Sequence, residues 1–385
     1  MKIVSVAQPL GGRGGVQMVI QALDSALTQS GHQMITCLTG PSIDDRSWEH
    51  ALERLYIGSA KRLTIRKAWT VCPLIEWLRR VILLEEPDIV VAHDVTLVPI
   101  IKVCMLLLPR CTPSRIIAYD HGDFAVLYKQ SRVYQALYRS GLRMSDAVVC
   151  GGQDCADAIN GQVSRVRAMS IGIPIKEPVE IIQRSTKAPR IVFVGRLFNE
   201  AKRVDRLLKA CGGLPKNGNW VLQIVGDGED RLALQNMARD LGIWSHCEWS
   251  GWHDDPWSVV ADATILAFPS DHEGFSAVMV EAMVRGIPVL ATDCDYGPRT
   301  VIQNGINGWL VPRDDEEFTR KLVEIASGSE VLPSPNQVQS TVQGFSPQEI
   351  AIRFLELCQQ LIVGQPIADG ECCELCTRKS PRNRG

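Results

Sequence analysis

Short β-branched apolar runs alternate along this chain with longer stretches whose apolar positions recur every three to four residues. Runs at 2–7, 33–38, 88–92, 115–118 and 147–150 predict strands in the first half, and 190–194, 220–225, 264–268 and 288–291 in the second. Between them, 15–30, 230–241 and 276–285 carry helical spacing. Alternating units of this kind predict parallel sheets covered by helices. A run such as Ile89-Val90-Val91-Ala92, apolar at every position, suits a strand buried on both faces.

A chain of 385 residues exceeds what one hydrophobic core usually supports, so two domains are expected. Prolines 174 and 178 with the polar stretch 183–187 mark the break. The expected organisation is a Rossmann-like domain over residues 1–176, a linker over 177–189 and a second Rossmann-like domain over 190–330. A polar stretch at 327–344 follows. An amphipathic helix over 347–363 is expected to cross back to the first domain, and the tail 364–385 to be disordered. Doubly wound sheets bind ligands beyond the carboxyl ends of their strands. Two such domains facing each other across a cleft put the chemistry in the loops after the strands.

Composition changes this picture little. The chain is 45% hydrophobic and 22% charged, as in an ordinary globular protein, with a net charge of −2. Residues 1–185 carry 21 basic and 17 acidic side chains, and the remainder 20 and 26. A basic first half suits an anionic partner, a phosphorylated acceptor or an acidic membrane face, and equally an uneven surface with no purpose. Thirteen cysteines without regular spacing, most in apolar surroundings, predict reduced buried thiols and a cytoplasmic protein. The apolar start is too short for a signal peptide and no run is long enough to span a membrane, so membrane contact is expected to be peripheral.

Three loops carry candidate chemistry. The first, Pro9-Leu10-Gly11-Gly12-Arg13-Gly14-Gly15, joins a strand to a helix start, where Gly14 and Gly15 let an anion approach free backbone N–H groups. A plain tight turn is the competing reading. The second, Gly195-Arg196 through Lys202-Arg203, leaves a strand with cations that can hold a diphosphate and stabilise its departure. The alternative is a solvated basic loop. The third, Asp271-His272-Glu273-Gly274-Phe275-Ser276, leads into a helix bearing Glu281 among Val278, Met279, Val280 and Ala282. Gly274 is expected to permit an unusual turn, with the amides of Gly274, Phe275 and Ser276 at the helix start. A carboxylate in that apolar company needs a partner, and a ribose diol fits. A surface salt bridge of Glu281 is the bland alternative.

Gly195-Arg196 with Lys202, Glu273-x7-Glu281, Gly286-Ile287-Pro288-Val289 and Asn304-Gly305-Ile306-Asn307-Gly308-Trp309 together resemble the large retaining glycosyltransferase family 4. Gly251-Trp252-x-x-Asp255-Pro256-Trp257 and Asp293-Cys294-x-x-Gly297-Pro298-Arg299 are most similar to its lipopolysaccharide core branch, notably the 1,6-galactosyltransferase group. The resemblance spans about 190–326 closely and the first domain more loosely, through the glycine loop and Asp120-His121-Gly122.

It implies an α/β fold of the GT-B type and a nucleotide-sugar donor. Glu281 would bind the ribose and Glu273 would lie against the donor sugar and phosphate. Gly274 and Phe275 would contact sugar hydroxyls, Arg196 and Lys202 would hold the diphosphate, and His121 would stand near the sugar and acceptor. Where the family often has Glu after its first glycine pair this chain has Gln17, which weakens any carboxylate role there.

The resulting expectation is a retaining, metal-independent hexosyltransferase with no cofactor, using UDP-galactose or UDP-glucose. Its acceptor would be a lipopolysaccharide core oligosaccharide or another lipid-linked glycan. The donor would sit on the second domain and the acceptor on the first, and domain closure would exclude water. No nucleic-acid partner is expected. A nucleotide-sugar epimerase or hydrolase, or a non-catalytic sugar-nucleotide sensor, are the competing classes.

Four features carry both a functional and a bland reading. Asp293-Cys294-Asp295 spells a metal motif of a different glycosyltransferase fold, but Arg196 and Lys202 could neutralise the diphosphate instead. His93-Asp94 stands at a strand exit, either lining the cleft or forming a satisfied polar pair. The segment 61–80, basic with Trp69 and Trp77, fits an acidic membrane surface or a surface helix. Cys373-x-x-Cys376 lacks a second pair for a zinc site.

Overall fold

The computed structural model describes residues 1–8, 15–40, 55–57, 71–108, 114–122, 131–163, 166–176, 181–185 and 187–364. The glycines before Gly15, including Gly14, the segment 61–70 and the tail cysteines 372, 373 and 376 lie outside the described residues. The chain divides into two units, Met1–Ile175 with Phe345–Gly385, and Lys176–Gly344.

The first unit contains β1 (Lys2–Ala7), β2 (Gln33–Leu38), β3 (Leu55–Ile57), β4 (Ile89–Ala92), β5 (Arg115–Asp120), β6 (Ala147–Cys150) and β7 (Ala168–Ser170). They form one parallel sheet in the order β3-β2-β1-β4-β5-β6-β7. Its central strands are fully buried, with Ile3, Val4, Ile89, Val90 and Ile117 all at zero exposure, as the unbroken apolar runs require. The helix Pro347–Val363 packs on the helix Gly15–Gln29 of this unit and buries Ile350, Phe354 and Leu361 among others.

The second unit contains β8 (Arg190–Val194), β9 (Val221–Val225), β10 (Cys247–Gly251), β11 (Ile265–Phe268), β12 (Val289–Thr292) and β13 (Gly308–Val311). Their order is β10-β9-β8-β11-β12-β13, again all parallel. In both units the strand order reverses direction beside the first strand, between β1 and β4 and between β8 and β11. Loops diverge at such a point and leave a crevice at the carboxyl edge of the sheet.

The nine strand runs read from the sequence all form strands, with ends moved by two residues at most. Four further strands, β3, β7, β10 and β13, were not anticipated. Two are three-residue edges, too short for an alternation to show, and β13 opens on a glycine. The helix expected over 276–285 runs only Ala277–Met283. The polar stretch before the last helix contains a further helix, Pro335–Ser340, started by the Ser334 hydroxyl accepting from Gln337 N–H. The described cysteines are unbridged, and Cys37, Cys104, Cys150, Cys155, Cys211, Cys294 and Cys358 are buried. Among the described residues no helix is long and apolar enough to cross a membrane.

Gly141 lets the helix Arg132–Met144 lie directly on the turn after β4. A Cβ there would stand 2.1 Å from the Val95 carbonyl oxygen. Gly141→Ala must push that helix off the turn, at a cost of about 1–3 kcal/mol. A lower urea midpoint is the expected reading, and an unchanged midpoint would contradict the close approach.

Candidate active site

The sequence-predicted groups of the second unit gather at its carboxyl edge. β8 ends at Val194 and the chain turns through Gly195-Arg196-Leu197 into the short helix Asn199–Lys202. That turn is laced to its neighbour: Gly195 N–H donates to Val225 O (3.0 Å) and Leu197 N–H to Asp227 O (3.0 Å). The approach needs Gly226, where a Cβ would fall 1.9 Å from Gly195 O. The Gly226-Asp227-Gly228 turn was missed in the sequence. A Gly-x-Gly immediately after a strand was the available signal.

β11 ends at Phe268 and leads through Pro269–Phe275 to the helix Ala277–Met283. Across the switch point, Lys202 Nζ donates to Glu273 Oε1 at 2.6 Å. The Glu273 side chain is 7% exposed and that of Lys202 25%. The ammonium also lies 5.8 Å from the centroid of the Phe268 ring. Arg196 does not join this pair. It is 70% exposed and bonds Glu229 at 3.1 Å.

The loop is held from beneath by charges. Arg206, 3% exposed, donates to Pro269 O (2.7 Å), Asp271 Oδ1 (2.9 Å) and Asp315 Oδ1 (2.6 Å). Arg203 donates to Asp271 Oδ2 (2.7 Å), and Asp271 N–H to Ala201 O (2.9 Å). Burial alone would raise the Asp271 pKa, but the bonds to Arg203 and Arg206 outweigh it and hold the carboxyl below its ordinary 3.8.

The unusual backbone of the turn falls at Ser276, in the left-handed region (φ 63°, ψ 85°), while Gly274 is not among the residues with positive φ. Such strain in a non-glycine residue costs roughly 1–3 kcal/mol and is tolerated where the surroundings fix it. Gly297 contributes to that fixing: a Cβ there would meet Phe275 O at 2.5 Å.

Glu281 is the half-buried carboxylate that the sequence required to have a partner. Trp257 supplies it, donating Nε1–H to Glu281 Oε2 at 2.9 Å. Asp255 starts the turn that presents Trp257, accepting from its backbone N–H at 3.0 Å. Arg285 stacks over the Trp257 ring (4.9 Å). Burial raises the Glu281 pKa, with Trp257 and Arg285 opposing and Asp255 adding to it. The pairing of Trp257 with Glu281 was not foreseen, since both residues stood in separate motifs.

The Asp-x-Asp carboxylates are committed to arginines. Asp293 Oδ2 accepts from Arg299 Nη2 at 2.7 Å and Asp295 Oδ1 from Arg313 Nη2 at 3.2 Å. Among the described residues no group of three or more His, Cys, Asp or Glu is placed to hold a metal ion.

In the first unit, Gly15 opens the helix Gly15–Gln29, with Gln17 buried on its first turn. His121 follows β5, and its Nε2 lies 2.9 Å from Nδ1 of His93, which follows β4. His93 thus pairs with His121 rather than with its neighbour Asp94, which takes Gln8 Nε2 (2.6 Å) and caps Thr96 (2.8 Å). Burial pushes His121 down to about 3, and burial with the neighbouring ring lowers His93 well below its ordinary value.

The family model for group 1 glycosyl transferases matches residues 175–338, and that for glycosyltransferase family 4 matches 13–176. The chain belongs to the family 4 glycosyltransferases. This glycosyltransferase is 28% identical over 365 residues to the lipopolysaccharide 1,6-galactosyltransferase of Salmonella typhimurium, across 90% of this chain and 95% of the relative. Its structure is similar to the apo lipopolysaccharide outer core galactosyltransferase WaaB, with TM-score 0.78 and 22% identity over 94% of this chain and 99% of that one. It is also similar to Anabaena HepE solved with UDP-glucose, with TM-score 0.75 and 16% identity over 93% and 99%. Both are likenesses of fold, and the fold is GT-B: two parallel-sheet Rossmann-like units.

Asp271→Asn replaces two ion pairs with neutral bonds and is expected to cost about 2 kcal/mol at neutral pH. A carboxyl with depressed pKa contributes stability above its unfolded value and loses it as pH falls through its folded value. The difference between wild type and variant should therefore be full at pH 7 and shrink below about pH 4. A difference independent of pH would contradict the ion pairing.

Proposed function

We propose that this glycosyltransferase moves a hexose from a UDP-sugar, with retention of anomeric configuration, onto the growing core oligosaccharide of a lipopolysaccharide. The observation that carries the donor side is the Lys202–Glu273 pair standing at the switch point of the second sheet, whose carboxyl edge also bears Arg196, Glu229 and the loop leading to Glu281.

Glu281 is assigned to the ribose diol. A half-buried carboxylate raised in pKa and held by one indole N–H has remaining lone pairs for two hydroxyls. Arg196 and Lys202 are assigned to the diphosphate. An exposed pair such as Arg196–Glu229 is worth about 1 kcal/mol or less, so the guanidinium is released to a ligand at small cost. Glu273, with the Gly274-Phe275-Ser276 turn, takes the sugar end. His121 and the glycines Gly14 and Gly15 are assigned to the sugar and the acceptor.

The bond between the sugar and the diphosphate then breaks as Arg196 and Lys202 stabilise the departing charge, without a metal. The acceptor hydroxyl enters on the same face and gives its proton to a diphosphate oxygen.

The acceptor class rests on the relative from Salmonella typhimurium, similar along 95% of its length and named for lipopolysaccharide 1,6-galactosyl transfer. We place the enzyme in the cytoplasm at the face of the inner membrane. Exposed Leu84 and Leu106, on two helices that pack together and also carry Arg80 and Lys102, and exposed Leu107 just after the second, support a peripheral contact.

UDP release should require both a UDP-hexose and a truncated core oligosaccharide, and the product should carry the donor's anomeric configuration. UDP release without acceptor, inversion, or no turnover with any core acceptor would count against the reading. Glu281→Gln should weaken UDP binding roughly tenfold or more. The same change removes a partly desolvated charge, so thermal stability at neutral pH should hold or rise. Unchanged UDP affinity would remove Glu281 from the ribose.

A further inference from the structure

The contact between His93 and His121 has a consequence for which hydrogen-bonding group His121 offers. A neutral imidazole has one N–H and one lone pair, so the 2.9 Å contact between His93 Nδ1 and His121 Nε2 has two solutions. In one, His93 Nδ1–H donates. His121 then carries its proton on Nδ1, and His93 keeps a bare lone pair at Nε2. In the other, His121 Nε2–H donates. His93 must then place an N–H at its own Nε2, and His121 turns a lone pair outward.

The His93 Nε2 decides between them. His93 is 5% exposed, and that atom is buried with no hydrogen-bond partner among the described residues. A buried N–H without an acceptor is rarer and costlier than an under-satisfied lone pair. The first solution therefore holds. The neighbouring ring fixes the orientation of the pair. His93 and His121 lie edge to edge in nearly one plane (interplanar angle 17°), and Tyr119 stacks on His121 with centroids 4.3 Å apart and on His93 at 5.4 Å. Tyr119 itself is anchored by its hydroxyl donating to Gly172 O at 3.1 Å.

We propose that His93 is a positioning residue that locks His121 in the Nδ1–H tautomer, so that His121 acts as a hydrogen-bond donor to an oxygen of the transferred hexose. The sugar end of this inference rests on the assignment of His121 above, while the tautomer does not. A donor at this point selects for an acceptor oxygen, a hydroxyl or ring oxygen, and discriminates against a deoxy position that leaves the N–H unpaired.

The full-length protein labelled with 15N-histidine tests both halves. Long-range proton–nitrogen correlations report the tautomer of each ring, with His121 assigned by its loss in His121→Asn. The wild type should show His121 protonated on Nδ1. His93→Phe keeps the stack but removes the donor, and should move His121 to the Nε2–H form with kcat lowered roughly tenfold at little change in donor KM. His93→Asn puts an amide N–H near the lost Nδ1–H and should restore both the tautomer and most of kcat. Protonation of His121 on Nε2 in the wild type overturns the proposal without need of any variant, as does a tautomer unmoved in a folded His93→Phe. A tautomer that switches with no change in rate supports the lock and overturns the assignment of His121 to the sugar.

Discussion

The Lys202–Glu273 ion pair is the interaction around which the second unit's loops are arranged. It joins the exits of β8 and β11, the two strands between which the sheet order reverses. A carboxylate 7% exposed at that point is stable only against a cation, because removing one partner of a buried pair costs roughly 3–5 kcal/mol. The pair therefore fixes how far apart the two loops stand. It also leaves the ammonium with donors to spare, since one of three is used on Glu273. On the reading proposed above, a diphosphate arriving at Lys202 would meet a charge already held in place, which is the condition for preorganised stabilisation of a leaving group.

Everything beneath the pair serves to keep that spacing. Arg206 and Arg203 clamp Asp271 and Pro269 from the buried side, and Gly297 permits the close approach under Phe275. Ser276 is held in a left-handed conformation at the entrance to the helix that carries Glu281. Trp257 then reaches Glu281 from the turn after β10, so that the carboxylate stays in an apolar setting without being orphaned. The two acidic residues thus differ in kind. Glu273 is neutralised by a cation, whereas Glu281 is held by a neutral donor and its pKa is raised by burial.

The sheets were legible because a parallel strand buried on both faces must be apolar at nearly every position, and those runs stand out in the sequence. The short edges β3 and β7 did not stand out, because three residues carry no period. Glu273, Lys202 and Glu281 were legible as residues, since charged groups at strand exits or amid apolar neighbours demand an explanation. Their partners were not. The bonds from Trp257 to Glu281 and from His93 to His121 span 24 and 28 residues, and nothing local in either segment announces the other. An unusual turn was expected at Gly274, because glycine is the least restricted residue. The left-handed residue is Ser276 instead, where the surrounding contacts override the local preference.

In the proposed function Lys202, presented by Glu273, meets the diphosphate of the donor. Calorimetric titration of wild type and Lys202→Met with UDP and with uridine tests it most directly. The account predicts that wild type binds UDP far more tightly than uridine, and that this preference shrinks roughly tenfold or more in the variant while uridine affinity is nearly unchanged. A preference for UDP that survives intact in a folded Lys202→Met protein would contradict it.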